Sequence, residues 1–430
     1  MKSRWVRLVL LALFLCVMTL VATFLPRSPV PDGSVVAFGA WADTAMRSFR
    51  RAFVLPGASL CLVDNGRVLA PRSYGLADRA TERPVDADTV FQAGGVSGAV
   101  AAWGAMKLVE QGKLDLDTPL TAYLDPWPLG PGRFPAEEIT LRRVLSHTAG
   151  LSLGGYQGFG PGRQPQPLAD SLLGAADAGG LAVTPQEPAG RTWRYSGGGY
   201  ALLEYLIEKV SGEDFAVFMR REVLEPLGMD FSGYELTPAM ARHLAVSYDQ
   251  TNAQVEPRTY TARAASGLYT TSRDLAAWLA ASLPGPEGQA PGRGVLQPAT
   301  IEEMFTAQPG TQVPLAVGGG RWGLGLAVQV LSGSWQTMVS DLGTNPPGWY
   351  CLVAALPQKK AGLAVLANGA GGDQALSDIL CVWAAWAGGG TTPGCRLERN
   401  FPTLWPWALP VGLAILALYW WWPRLWRRKS

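Results

Sequence analysis

Two hairpin signals near opposite ends of the chain restrict its fold more than anything between them. The first runs Gly57-Ala58-Ser59-Leu60-Cys61-Leu62-Val63, then Asp64-Asn65-Gly66, then Arg67-Val68-Leu69-Ala70. Asn-Gly between two strand-forming runs specifies a tight turn, because both turn residues must take positive φ. The second joins Tyr350–Leu356 to Gly362–Ala367 through Pro357-Gln358-Lys359-Lys360-Ala361. Helical apolar spacing over Ala37–Phe53 precedes the first hairpin, and a helix over Asp373–Trp386 follows the second. The stretch between is helix- and loop-rich, with Gly/Pro-rich segments at 153–167 and 283–294 and no internal repeat. Strands at both ends with helices between predict an α+β fold in which the ends pair into one antiparallel sheet.

Charge confines where these elements can lie. No acidic residue precedes Asp32 or follows Glu398. Leu8–Leu25 is apolar apart from two threonines and follows Lys2, Arg4 and Arg7. As a helix it would span about 27 Å, against roughly 30 Å of bilayer hydrocarbon. Leu404–Trp422 carries no charge and precedes Arg424, Arg427, Arg428 and Lys429, with Trp405 and Trp407 at one edge and Trp420, Trp421, Trp422 and Trp426 at the other. That is the pattern of a membrane span with aromatic belts. Residues 1–30 are therefore expected to form a signal anchor, 404–423 a C-terminal transmembrane helix and 424–430 a basic cytoplasmic tail. Residues 34–399 form the domain between them. A cleaved signal peptide is the alternative for the first run, although Val21-Ala22-Thr23-Phe24-Leu25 offers no clean small-x-small site. Basic flanks at both ends hold the termini in the cytoplasm and place the domain outside the cytoplasmic (inner) membrane.

Of 36 basic residues seven lie in those flanks, leaving 29 against 34 acidic ones. That balance excludes a nucleic-acid binder working through a basic face. Cys16 falls in the first apolar run, and Cys61, Cys351, Cys381 and Cys395 fall in the domain at spacings that match no zinc motif. No metal or cofactor is expected. Cys381 and Cys395 bracket a Gly/Thr/Pro loop, and they either close a disulfide or stay as buried thiols.

Eight blocks then follow in order. They are Phe91–Gly98, Lys107–Pro119, Ile139–Leu151, Tyr195–Leu203, Glu225–Met229, Ala265–Leu275, Trp322–Gly325 and Pro347-Gly348. In this order and spacing they resemble the class C β-lactamase-like serine hydrolases, which include penicillin-binding-protein-like D-alanyl-D-alanine carboxypeptidases and esterases. The resemblance implies an antiparallel sheet packed by helices, beside an all-helical subdomain, with the active site between them.

The resemblance also shows what this chain lacks. The family acylates a serine activated by a lysine three residues on, which shares the serine's helix face. Where the family reads Gly-Ser-Val-Ser-Lys, this chain reads Gly94-Gly95-Val96-Ser97-Gly98. Gly95 takes the nucleophile position and Gly98 the base position. The residues three before the lysines are Gly104, Glu110, Leu206, Leu356, Pro357 and Trp426, so no Ser-x-x-Lys exists anywhere in the chain. The family's Tyr-x-Asn becomes Tyr195-Ser196-Gly197, and its Lys-Thr-Gly or His-x-Gly edge strand becomes Asp341-Leu342-Gly343. A cation is thus replaced by a carboxylate, which opposes an anionic substrate. His147 and His243, the only histidines, are read as scaffold residues. Ser97 is the one candidate for a displaced nucleophile. It lies about 200° round the helix from Gly95 and is expected to point away. The glycine pair is expected to widen the pocket floor.

Loss of nucleophile, base, amide and cation together predicts a pseudoenzyme that binds a small-molecule or cell-wall-related ligand, or a protein partner. Two alternatives stay open. One is a hydrolase with a non-standard site, using Ser97, or water activated near Asp341, Tyr195 and Ser196. The other is a subunit of a membrane complex that functions through its apolar helices.

Overall fold

The first element among the described residues is α1 (Val35–Ala52), capped by Ser34, whose hydroxyl accepts the Ala37 N–H. Strands β1 (Gly57–Asp64) and β2 (Arg67–Val68) follow, turning through Asn65 and Gly66 at φ 48° and 74°. Next come β3 (Arg72–Asp78) and β4 (Arg83–Pro84). Helices α2 (Val96–Glu110), α3 (Gly197–Ser211) and α4 (Ser272–Ala281) dominate the middle. The chain returns to the sheet in β5 (Arg321–Trp322), β6 (Ala327–Val330), β7 (Thr337–Asn345), β8 (Trp349–Leu356) and β9 (Ala361–Ala367), and α5 (Gly372–Gly388) follows. The computed structural model describes residues 30–314, 319–392, 394 and 395. Within these, Pro31–Thr392 form one compact unit. Among the described residues no helix is long and apolar enough to cross a membrane. The apolar runs at 8–25 and 404–422 lie outside the described residues.

The nine strands form one antiparallel sheet in the order β4-β3-β1-β9-β8-β7-β6-β5, with β2 paired to β1. The two hairpins meet at its centre. Ala58 lies opposite Ala367 and Val63 opposite Gly362. Helices cover both faces, so alternate residues of one strand enter different cores. Leu60, Leu62, Leu352, Leu363 and Val365 pack with Phe38, Met46 and Trp383 of α1 and α5. Cys61, Val63, Cys351, Val353 and Leu366 pack with Trp103 and Trp278 of α2 and α4. A strand buried on both faces reads as an unbroken apolar run, which is how β1, β8 and β9 read in the sequence.

Two expectations need correction. The helical middle is not an all-helical unit. Short ladders, Phe91-Gln92 with Tyr269-Thr270 and Ser247-Tyr248 with Gln254-Val255, thread between its helices, and its core is continuous with that of the sheet. The Asp341-Leu342-Gly343 segment is not on an edge strand either. β7 lies between β8 and β6, but β6 pairs with it only over Thr337–Ser340. From Asp341 to Asn345 that side of β7 is open, so the segment behaves as a local edge inside the sheet.

Candidate functional site

A cavity of about 390 Å³ lies along this open stretch of β7, beside the starts of α2 and α3. Gly95, Tyr195 and Gly197 line it, with Tyr156, Ser266 and Asn345. The start of α2 is packed backbone against backbone on β7. A Cβ on Gly343 would sit 2.0 Å from the Ala93 carbonyl oxygen, and one on Gly94, at φ +54°, would sit 2.5 Å from Thr344 backbone atoms. Only glycine permits this approach at both positions.

The start of α3 is fixed by its cap. Ser196 Oγ accepts the Gly199 N–H at 2.9 Å and donates to the Ser152 carbonyl at 2.9 Å. The Ser196 N–H donates to His147 Nδ1 at 3.2 Å. Burial pushes the His147 pKa down to about 3, so its imidazole stays neutral and Nδ1 remains an acceptor. Its ring packs on Tyr195 and Tyr200 at centroid distances of 4.5 and 5.1 Å. His147 therefore orients Tyr195 from behind. His243 packs on Phe231.

The two glycines of the altered motif differ in what surrounds them. A Cβ on Gly95 would lie 3.0 Å from Tyr195 Oη, so this position faces the cavity and the tyrosine. A Cβ on Gly98 would lie 2.8 Å from the Tyr200 ring. Gly98 therefore does not widen the floor, because Tyr200 occupies the space where a side chain would grow. Ser97 is fully buried. Its Oγ accepts the Leu268 N–H at 3.0 Å, and its carbonyl accepts the Tyr234 hydroxyl at 2.7 Å. It is not among the residues lining the cavity.

Asp341 lies on the same face of β7 as Gly343, opposite Val353. Burial pushes its pKa up to about 7, opposed by a hydrogen bond from the Leu342 N–H. Burial raises the Tyr195 hydroxyl too, and the Asp341 charge raises it further. The tyrosine thus stays protonated and is a poor base. Cys351, a free thiol on β8, is raised for the same two reasons. Cys381 and Cys395 are not free thiols.

Comparison with known proteins decides the family. A family model described as Beta-lactamase matches residues 42–380. The chain belongs to the beta-lactamase family. It is 30% identical over 229 residues to Esterase EstB of Burkholderia gladioli, covering 50% of this chain and 54% of that protein. It is 29% identical over 195 residues to Penicillin-binding protein 4* of Bacillus subtilis, covering 43% of this chain and 40% of that protein. The chain thus spans about half the length of the curated relatives it matches. The structure of the octameric penicillin-binding protein homologue from Pyrococcus abyssi matches with TM-score 0.64 and 25% identity over 81% of this chain and 77% of that one.

In this beta-lactamase-family fold, several residues around the cleft carry no sequence signal. Asn345 donates to Gln92 Oε1 at 3.1 Å and to the Ser266 carbonyl at 3.0 Å, tying β7 to the Arg263–Ser266 turn. That turn is anchored by Arg263, which reaches Glu204 and Asp214 at 2.8 Å, Glu208 at 2.9 Å and Glu235 at 3.2 Å. These four acids are spread over 32 positions of the chain, and no spacing rule groups them. Tyr156, Gly154 and Gly155 come from a loop that composition marks only as Gly-rich.

Proposed function

We propose that this chain is a membrane-anchored member of the beta-lactamase family that binds a ligand in its cleft outside the cytoplasmic membrane, without forming an acyl-enzyme. The surroundings of Gly95 and Gly98 carry this reading. Acyl transfer in a serine hydrolase needs a hydroxyl and a base on one helix face. Here the first position holds a bare glycine facing Tyr195, and the second is closed by the Tyr200 ring. Ser97 supports it as well, since its Oγ is engaged by a backbone N–H away from the cavity. Penicillin-binding proteins and an esterase among the relatives favour a ligand related to acyl or cell-wall chemistry. The charge-free runs at 8–25 and 404–422, each flanked by basic residues, support the membrane anchoring.

Turnover of a chromogenic ester and a chromogenic β-lactam by the purified full-length chain tests the catalytic part. The expected rate equals the buffer background. Turnover abolished by Ser97→Ala or Tyr195→Phe would establish a non-standard hydrolase instead.

A further inference from the structure

The chain enters the compact unit at Pro31 and leaves it at Thr392, and these two points meet. The Asp32 carbonyl accepts the indole N–H of Trp386, in the last turn of α5, at 3.0 Å. The Trp386 ring packs on Phe38 of α1 with centroids 4.7 Å apart. Thr391 pairs with Ser332, in the turn between β6 and β7, through backbone hydrogen bonds of 3.1 and 2.9 Å. The start of α1, the end of α5 and the β6–β7 turn therefore form one corner of the domain.

Charged residues make up 16% of the chain, yet the three segments at this corner, 33–42, 322–340 and 379–392, contain none. The corner exposes apolar side chains instead. Trp335 and Val36 are 83% and 78% exposed, the highest values for large apolar side chains among the described residues, and Val330 is 54% exposed. Single exposed apolar residues are ordinary, whereas a charge-free group of them marks a contact surface. Stability does not account for Trp335, which sits at φ 58°, a conformation that glycine adopts with less strain. The exposed acid nearby, Asp32, is engaged by the Ser34 N–H and hydroxyl at 3.3 and 3.1 Å.

The sequence beyond the corner identifies what covers it. Leu25, the end of the first charge-free run, is seven residues before Asp32, and Leu404, the start of the second, is twelve after Thr392. Those lengths reach at most about 25 and 40 Å when fully extended. We propose that this corner rests on the lipid bilayer, with Trp335, Val36 and Val330 in the interface and Lys359 and Lys360 beside its headgroups. This rests on the membrane anchoring proposed above and adds the face of the domain that meets the lipid. Tryptophan favours the membrane–water interface, and lysines there suit anionic headgroups. Both lysines lie in the β8–β9 turn, at the same end of the sheet as the β6–β7 turn, because Val339 near the start of β7 pairs with Ala355 near the end of β8. β7 runs from this corner to the cleft. Gly343 lies six residues beyond Thr337, roughly 20 Å at about 3.3 Å per residue. The cleft is thereby held away from the lipid and takes its ligand from the aqueous side.

Bimane fluorescence of the full-length chain in phosphatidylcholine–phosphatidylglycerol vesicles tests this, with brominated acyl chains as the contact quencher. The probe is attached to Trp335→Cys and, in a separate chain, to Val36→Cys, both in a Cys16→Ser background, since Cys61 and Cys351 are buried. Phe53→Cys in the same background is the control, because Phe53 is 39% exposed at the far end of α1, about 27 Å away. Both corner probes are expected to lose most of their emission in brominated relative to unbrominated vesicles, and the probe at position 53 to keep it. The Val36 position decides the matter even if Trp335→Cys misfolds. Corner probes that keep their emission, in chains that float with the vesicles, overturn this proposal and leave the anchoring standing. If aqueous iodide also fails to quench them, a second copy or another protein covers the corner instead of lipid. Equal quenching at position 53 overturns the orientation. A chain that does not float with the vesicles overturns the anchoring and this proposal together.

Discussion

At Gly98 two effects oppose each other. Alanine there would gain about 1 kcal/mol of helix propensity. Its Cβ would also sit 2.8 Å from the Tyr200 ring, and overpacking of that kind costs roughly 1–3 kcal/mol. Gly98→Ala is therefore expected to be neutral or destabilising, and Gly98→Lys clearly destabilising, in urea unfolding. A more stable Gly98→Lys would show that Tyr200 yields readily and that the base position is open. Asp341 makes a prediction with a sign. Its folded pKa of about 7 lies above the ordinary carboxylate value, so the folded state holds the extra proton between roughly pH 4 and pH 7. Stability contributed by this group is present below that window and is lost as pH rises through it. Asp341→Asn removes the loss. It should stabilise the protein at pH 8 by roughly 1–3 kcal/mol, since partial solvent access moderates the full effect, and should change little at pH 4.

Among the elements, the central pairing of β1 with β9 was legible in the sequence, because Asn65-Gly66 and two unbroken apolar runs leave few other arrangements. Helix α1 was legible through its apolar spacing, and α5 as the helix that follows the second hairpin. The course of β7 was not. Its run Thr337–Asn345 mixes apolar, charged and glycine residues, since one side pairs with β8 from Val339 to Asn345 while the other pairs with β6 only over Thr337–Ser340 and beyond that borders a cavity. The motif positions Gly95, Tyr195 and Gly197 could be named from the family resemblance, but the surroundings of Gly98 could not. They depend on Tyr200, whose ring meets α2 only after the chain has turned back. Gly343 is where β7 and α2 depend on each other most directly. A methyl group 2.0 Å from a carbonyl oxygen must separate strand and helix, so Gly343→Ala should cost about 3 kcal/mol or more in unfolding free energy. Unchanged stability would mean that this backbone contact is not a determinant of the fold. The cysteines give a further check. Cys381 and Cys395 are expected to pair, so thiol alkylation of the denatured, unreduced chain should label Cys61 and Cys351 and spare both. Labelling of Cys381 would refute the pairing.

For the molecule as a whole, the proposed topology rests on an acidic domain between two basic-flanked apolar runs. A reporter fused after Ser430 should score as cytoplasmic, and protease added outside the cytoplasmic membrane should reach the domain. A domain protected from that protease would contradict the orientation. The chain has the antiparallel sheet packed by helices of its family, and the resemblance places Gly95 and Gly98 at the serine and lysine positions and Tyr195 at the tyrosine of the second motif. On the proposed reading, the same scaffold would hold a ligand without forming a covalent bond to it. Intact-protein mass spectrometry of the full-length chain, after prolonged incubation with benzylpenicillin and with a fluorophosphonate, tests that claim most directly. The account predicts an unshifted mass with both reagents, and a stoichiometric adduct on Ser97 or any other serine would contradict it.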